Sequence, residues 1–149
     1  MKRYKRPVSV LVLIHTPGLQ VLLLERAAHP GYWQSVTGSQ ETGERLSETA
    51  IREVAEETGI AASVAELHDW QITNSYEIFA EWRHRYAPGV RHNTEHVFSL
   101  QVPSERPVVI VPSEHLNYCW LPWREAAAKC FSWSNRDAIL MLPGRLSQR

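Results

Sequence analysis

Residues 38–60 read Gly38-Ser39-Gln40-Glu41-Thr42-Gly43-Glu44-Arg45-Leu46-Ser47-Glu48-Thr49-Ala50-Ile51-Arg52-Glu53-Val54-Ala55-Glu56-Glu57-Thr58-Gly59-Ile60, and this stretch decides the fold. It is a glycine-bearing loop, a short helix and a glycine stop. At helical spacing Leu46, Ala50, Ile51 and Val54 fall on one apolar face, while Glu53, Glu56 and Glu57 share a neighbouring arc of roughly 100°. Like charges at i, i+3 and i+4 destabilise a helix by about 0.2–0.5 kcal/mol per pair, so something positive must offset them. Arg52 can pair with one carboxylate. A hard divalent cation, which asks for converging oxygen ligands on a rigid element, can take several. Gly59 is free to adopt positive φ and end the helix. Plain solvation with ion pairs is the alternative for an acidic face of this kind.

The spacing separates the two. Gly38-x5-Glu44-x7-Arg52-Glu53-Val54-x-Glu56-Glu57-x-Gly59-Ile60 resembles the Nudix box of nucleoside-diphosphate-linked hydrolases at every specified position. By typical residue usage, chance agreement is on the order of 10⁻⁹ to 10⁻¹⁰ per starting point. The resemblance implies a Nudix fold, with a mixed β-sheet sandwiched between α-helices; periodicity alone supports only an α/β domain. A Nudix-like domain that has lost catalysis and binds a nucleotide or partner is the alternative from another class.

The chain has 149 residues, enough for one domain over 1–149 with a single core. Sixteen basic and sixteen acidic side chains cancel, leaving no global field that favours nucleic acid or anionic membrane. Cys119 and Cys130 match no metal spacing; reduced thiols are the simpler reading, a disulfide between them the alternative. Met1-Lys2-Arg3-Tyr4-Lys5-Arg6 followed by Val8 to Ile14 imitates a signal peptide, but the apolar run is short and no small-residue cleavage site follows. The expectation is a cytoplasmic, soluble protein, monomeric rather than oligomeric.

Val8 to Ile14 is aliphatic throughout, as in a strand buried on both faces, and Val21 to Glu25 repeats the pattern. Thr16-Pro17-Gly18 between them predicts a hairpin, with Arg26 at its end facing the site. Tyr32 to Val36 leads as a short strand into Gly38, where the backbone can approach a ligand closely. Further strands are expected at Ala61 to Trp70, Glu77 to Tyr86 and Thr94 to Val102, with a break at Thr73-Asn74-Ser75, and a short one at Trp120-Leu121. Trp123 to Phe131 and Ser134 to Leu142 read as helices, the second capped by Ser134 or Asn135. His92 and His96 lie about 13 Å apart on an extended segment, which excludes a zinc site built on that pair.

Outside the box, Trp33-Gln34-Ser35-Val36-Thr37-Gly38-Ser39, His84-Arg85-Tyr86-Ala87-Pro88-Gly89, Ser113-Glu114-His115-Leu116 and Ser132-Trp133-Ser134-Asn135-Arg136 are similar to the branch of the family that acts in bacterial folate biosynthesis. That resemblance implies Mg²⁺-dependent hydrolysis of dihydroneopterin triphosphate to the monophosphate and pyrophosphate, with Mn²⁺ as a substitute and side activity on dATP and other nucleoside triphosphates. A housecleaning nucleoside triphosphate pyrophosphohydrolase shares the same helix and is the second enzymatic reading. Glu53, Glu56 and Glu57 are the expected catalytic carboxylates. Glu53, Glu57, Glu114 and the Gly38 carbonyl are the expected metal ligands, with Arg52 orienting a box carboxylate. Lys5, Arg26 and Thr37 are candidates for the phosphates. Tyr76, Glu77, Ile78, Phe79, Ser132 and Trp133 are candidates for the pterin, which needs a stacking face and in-plane hydrogen bonds. His84, Arg85, Arg91 and His92 form a basic rim suited to guiding a polyphosphate.

Overall fold

The computed structural model describes residues 3–147; Met1 and Lys2 of the N-terminal segment, and Gln148 and Arg149 at the end of the 1–149 span, lie outside the described residues. Seven strands form one mixed sheet: β1 (Val8–His15), β2 (Gln20–Arg26), β3 (Trp33–Gln34), β4 (Val36–Ser39), β5 (Leu67–Glu77), β6 (His92–Gln101) and β7 (His115–Pro122). Helices α1 (Leu46–Thr58), α2 (Trp123–Lys129) and α3 (Trp133–Ser147) pack on it.

β1 is the sheet's axis, as its aliphatic run requires. It pairs in parallel with β6 from Val8↔Thr94 to His15↔Gln101, and antiparallel with β4 from Ser9↔Ser39 to Val12↔Val36. In place of the single core expected, its alternate side chains feed two, one on each face of the sheet. Val10, Val12 and Ile14 pack with Val36, Ala50 and Val54 beneath α1, while Leu11 and Leu13 pack with Val97, Ala126, Ile139 and Leu142 beneath α2 and α3. Each fully buried aliphatic side chain here contributes roughly 1.5–3 kcal/mol.

The expected hairpin of β1 and β2 splays: one pair, His15↔Val21, joins them before β2 turns to β7 and β3. The strand through residues 33–39 begins against β2 and ends against β1, and so delivers Gly38 between the two halves.

Residues 61–86 differ from the expectation. No strand begins at Ala61; Val64–Glu66 is a 3₁₀ turn closed by Glu66 accepting from the Ser63 backbone N–H, and β5 starts at Leu67. Thr73-Asn74-Ser75 is no break but the middle of β5, whose polar residues alternate outward because it is the edge strand. The break sits earlier: register shifts between Asp69 and Thr73, with Gln71 at φ 56° and its N–H held by Asp69 Oδ1 at 2.8 Å. Trp70 at this bulge donates Nε1–H to Ser99 Oγ at 2.9 Å, and its carbonyl accepts from Arg145 of α3. The strand expected at Glu77 to Tyr86 is instead a 3₁₀ segment, Ala80–Arg85. β7 extends the short Trp120-Leu121 strand back to His115, and α3 begins at Trp133, with Ser132 rather than Ser134 or Asn135 receiving the first-turn N–H of Asn135 at 3.3 Å. Cys119 and Cys130 are free thiols, and burial raises the pKa of Cys130 to about 12. No helix among the described residues is long and apolar enough to cross a membrane.

Candidate active site

α1 is seated by its own sequence. The Glu48 carboxylate accepts the Arg45 backbone N–H at 2.8 Å at the start, and Gly59, at φ 75°, ends it with its N–H on the Ala55 carbonyl at 2.9 Å. Thr49, Ala50, Val54, Glu57 and Thr58 face inward. The buried face therefore carries a carboxyl group, Glu57, which only 7% exposure leaves almost out of water.

Arg52 organises the remaining acids. Its Nε and Nη2 grip both oxygens of Glu44 at 2.6 and 3.0 Å, Nη1 holds Glu53 at 2.8 Å and Glu56 at 3.3 Å, and Nη2 also reaches the Ser39 carbonyl at 3.0 Å. The guanidinium beside Glu44 lowers that carboxyl's pKa to about 2. Arg52 thus orients box carboxylates, as expected. Glu44, which the sequence reading left without a role, is its bidentate anchor.

Glu53 lies over β4 where Gly38 has no side chain: a Cβ there would fall 2.1 Å from Glu53 Cδ. Glu57 hydrogen-bonds Glu53 and receives the Thr37 backbone N–H, and its pKa is raised well above the usual carboxylate range, first by burial and then by Glu53. Glu57 Oε1 makes no hydrogen bond; His115 Nε2 stands 3.6 Å away, and burial lowers the His115 pKa, so the contact is not a charge pair at neutral pH. A buried carboxyl hydrogen-bonded to a second one, with one oxygen unsatisfied, fits a divalent cation, which when bound would neutralise phosphate oxygens and activate water. Glu114 reaches Glu57 through its charge alone, and among the described residues no three such groups already converge as a ready-made metal site.

Three cations border the same carboxylates. Burial first, and then the charge of Arg85, lowers the pKa of both Lys5 and Arg26; Lys5 also feels Glu53 and Glu114, and Arg26 feels Glu57 and Glu114. Lys5 is exposed as a residue and also lines the cavity, and its backbone N–H bonds the Arg85 carbonyl at 2.8 Å. Arg26 donates to Gln34 Oε1 at 3.1 Å and lies 4.7 Å from the Trp82 ring. Thr37 lines the cavity too, but its hydroxyl donates to the Val10 carbonyl at 2.9 Å and its proton is already committed.

Lys5, Arg26, Thr37, Arg85, Arg52, Glu53, Glu56, Glu57 and Glu114, with Gly38, line one cavity of about 1530 Å³. It is lined by all six residues expected at the pterin, Tyr76, Glu77, Ile78, Phe79, Ser132 and Trp133, together with Trp82 and Phe131, which the sequence does not single out. Phe131 stacks on Tyr32 at 4.5 Å and meets Trp82 edge-on at 6.1 Å. Glu77 is tied to Arg83, and Ile78 is 4% exposed, so of that tetrapeptide Tyr76 and Phe79 offer side chains to a ligand. Arg85 was read as rim; it belongs to the cavity wall.

The NUDIX domain family profile matches residues 5–142, almost the whole of the described chain. The chain belongs to the NUDIX family. Among similar NUDIX proteins, dihydroneopterin triphosphate diphosphatase of Escherichia coli K12 is 52% identical over 141 residues, 93% of each chain. The Haemophilus influenzae protein of the same name is 40% identical over 142 residues, 93% of this chain and 89% of that one. The solved structure of the E. coli dihydroneopterin triphosphate pyrophosphohydrolase superposes with a TM-score of 0.86 at 53% identity, covering 93% of this chain and 95% of that one. NUDIX hydrolases use divalent metal ions, in keeping with the Glu53–Glu57 pair.

Proposed function

We propose that this protein hydrolyses dihydroneopterin triphosphate to dihydroneopterin monophosphate and pyrophosphate, with Mg²⁺ as the cofactor and Mn²⁺ able to replace it. One observation carries the reading: the carboxyls of Glu53, Glu57 and Glu114, the cations of Lys5, Arg26 and Arg85, and the rings of Phe79, Trp82, Phe131 and Trp133 line one cavity, the cations close enough to feel the carboxylates. A triphosphate laid among these charges has its oxygens neutralised by the cations and by the metal the carboxylates hold, and a flat ring meets the aromatic side chains. Glu53, Glu57 and Glu114 would hold the metal with the Gly38 carbonyl, and Glu56, more exposed, serves as a further ligand or base. Lys5, Arg26 and Arg85 bind phosphates; Phe79, Phe131 and Trp133 flank the ring. The names of the two bacterial relatives support the same substrate.

The enzyme acts as a cytoplasmic monomer on a small molecule, one domain over 1–149, without nucleic acid or membrane. The decisive experiment is a panel of triphosphates, including dihydroneopterin triphosphate and dATP, turned over with Mg²⁺ in ¹⁸O-labelled water. Higher kcat/KM on the pterin substrate, with pyrophosphate as product, is expected. Preference for dATP would point to nucleotide housecleaning, and no release from any substrate to a silent module.

A further inference from the structure

The cavity contains a second buried carboxyl, on the opposite face of the sheet from α1. Glu95 of β6 pairs with Ser9 of β1, which pairs in turn with Ser39 of β4, so Glu95 stands two strands, about 10 Å, from the strand that carries Gly38. A fused bicyclic ring with a three-carbon chain spans that interval to a phosphate.

Glu95 is 4% exposed and Asn93, two residues before it, 2%. Both line the cavity. The Asn93 amide donates one proton to Ser9 Oγ at 2.7 Å and the other to Tyr76 Oη at 2.9 Å, which leaves Oδ1 as an acceptor. Tyr76 Oη lies 3.5 Å from Glu95 Oε2. Asn93 Oδ1 and Glu95 Oε1 make no hydrogen bond at all. Burial pushes the Glu95 pKa up to about 7, against the pull of Ser134, Asn74 and Tyr76. Two buried acceptors without donors are costly, and a ligand bringing N–H groups offsets that cost.

We propose that Glu95, with Asn93 beside it, is the residue that reads the substrate's ring: a ring N–H and the adjacent exocyclic amino group donate to its carboxylate, selecting a 2-amino-4-oxopyrimidine ring over adenine. This rests on the pterin triphosphate reading and adds the atom-level basis of its selectivity. Pterin and guanine share the donor–donor edge. Adenine presents one donor and one acceptor nitrogen, whose lone pair opposes a carboxylate oxygen. Phe79 and Trp133, 44% and 46% exposed at the same cavity, supply faces for the ring.

The test compares kcat/KM for dihydroneopterin triphosphate, dGTP, dITP and dATP between the unaltered protein and Glu95→Gln. Glutamine keeps the shape but offers one donor and one acceptor, the complement of adenine. The variant should lose about 10- to 100-fold on dihydroneopterin triphosphate and dGTP, mainly in KM, and hold or gain on dATP. The unaltered protein should prefer dGTP to dITP, which lacks the exocyclic amino group, by about tenfold. An equal loss on all four substrates, or no loss, overturns the proposal. So does equal use of dGTP and dITP by the unaltered protein, a comparison that stands even if the variant fails to fold. If the unaltered protein turns over the nucleotides but not dihydroneopterin triphosphate, the substrate reading fails, while the three nucleotides still decide the role of Glu95.

Discussion

The Glu53 carboxylate occupies the space that a side chain on Gly38 would fill: a Cβ there would lie 2.1 Å from Glu53 Cδ and 2.3 and 2.5 Å from its two oxygens. A glycine on β4 therefore sets how closely α1 seats its first acid against the sheet. Gly38→Ala should displace Glu53 and lower kcat by about 100-fold, since displacements on the order of 1 Å cost that much in positioned chemistry. Mn²⁺ titration followed by electron paramagnetic resonance should show weakened binding; unchanged affinity would contradict the assignment.

Arg52→Gln frees Glu44 and Glu53 together. Turnover should fall with little change in KM, because no substrate contact is lost. The acid limb of stability gives a second readout. Glu44 has a folded pKa of about 2 against an ordinary 4.5, so its contribution is present above pH 4.5 and is lost as the pH falls toward 2. Urea unfolding between pH 6 and pH 3 should show a steeper acid loss for the unaltered protein than for the variant.

Glu114 is exposed on the turn before β7, its backbone N–H bonded to the Val111 carbonyl and its carbonyl to the Ala27 N–H. Glu114→Gln leaves that backbone intact. Turnover should drop by orders of magnitude with the melting temperature nearly unchanged; an active variant would remove Glu114 from the site.

The raised pKa of Glu57 makes its proton a competitor of the cation. A chelator should abolish pyrophosphate release, and apparent Mg²⁺ affinity should climb with pH until Glu57 is ionised in the free protein. Calorimetry in buffers of different ionisation enthalpy should detect a proton released on binding. Glu57→Gln should bind weakly with a flatter pH dependence.

The parts legible in the sequence were those whose cause is local. The helix of residues 46–58 declares itself through its apolar spacing and Gly59, and β1 through an aliphatic run that feeds both cores. The segment 61–86 was misread because its structure depends on position in the sheet. Thr73, Asn74 and Ser75 resemble a turn, yet an edge strand tolerates them, and nothing in the local pattern reveals an edge. Trp82 reads as a strand residue until Phe131 and Arg26 are brought beside it from elsewhere in the chain. The cations were visible one by one; the convergence of Lys5, Arg26 and Arg85 belongs to the topology alone. Asn93-Thr94-Glu95 is similar to the same folate-pathway branch in sequence, but that one Glu95 oxygen, Oε1, is buried without a donor is a property of three dimensions.

The bulge at Gln71 bears on how these molecules behave in a crowd. β5 closes one side of the sheet, and a straight outer strand would present an unbroken row of amides on which a second chain could template itself. The left-handed residue, with the Trp70 carbonyl already taken by Arg145, interrupts that row in its middle. Fibril growth from this side is thereby denied a continuous seed, so concentrated solutions should resist β-type aggregation while the bulge holds.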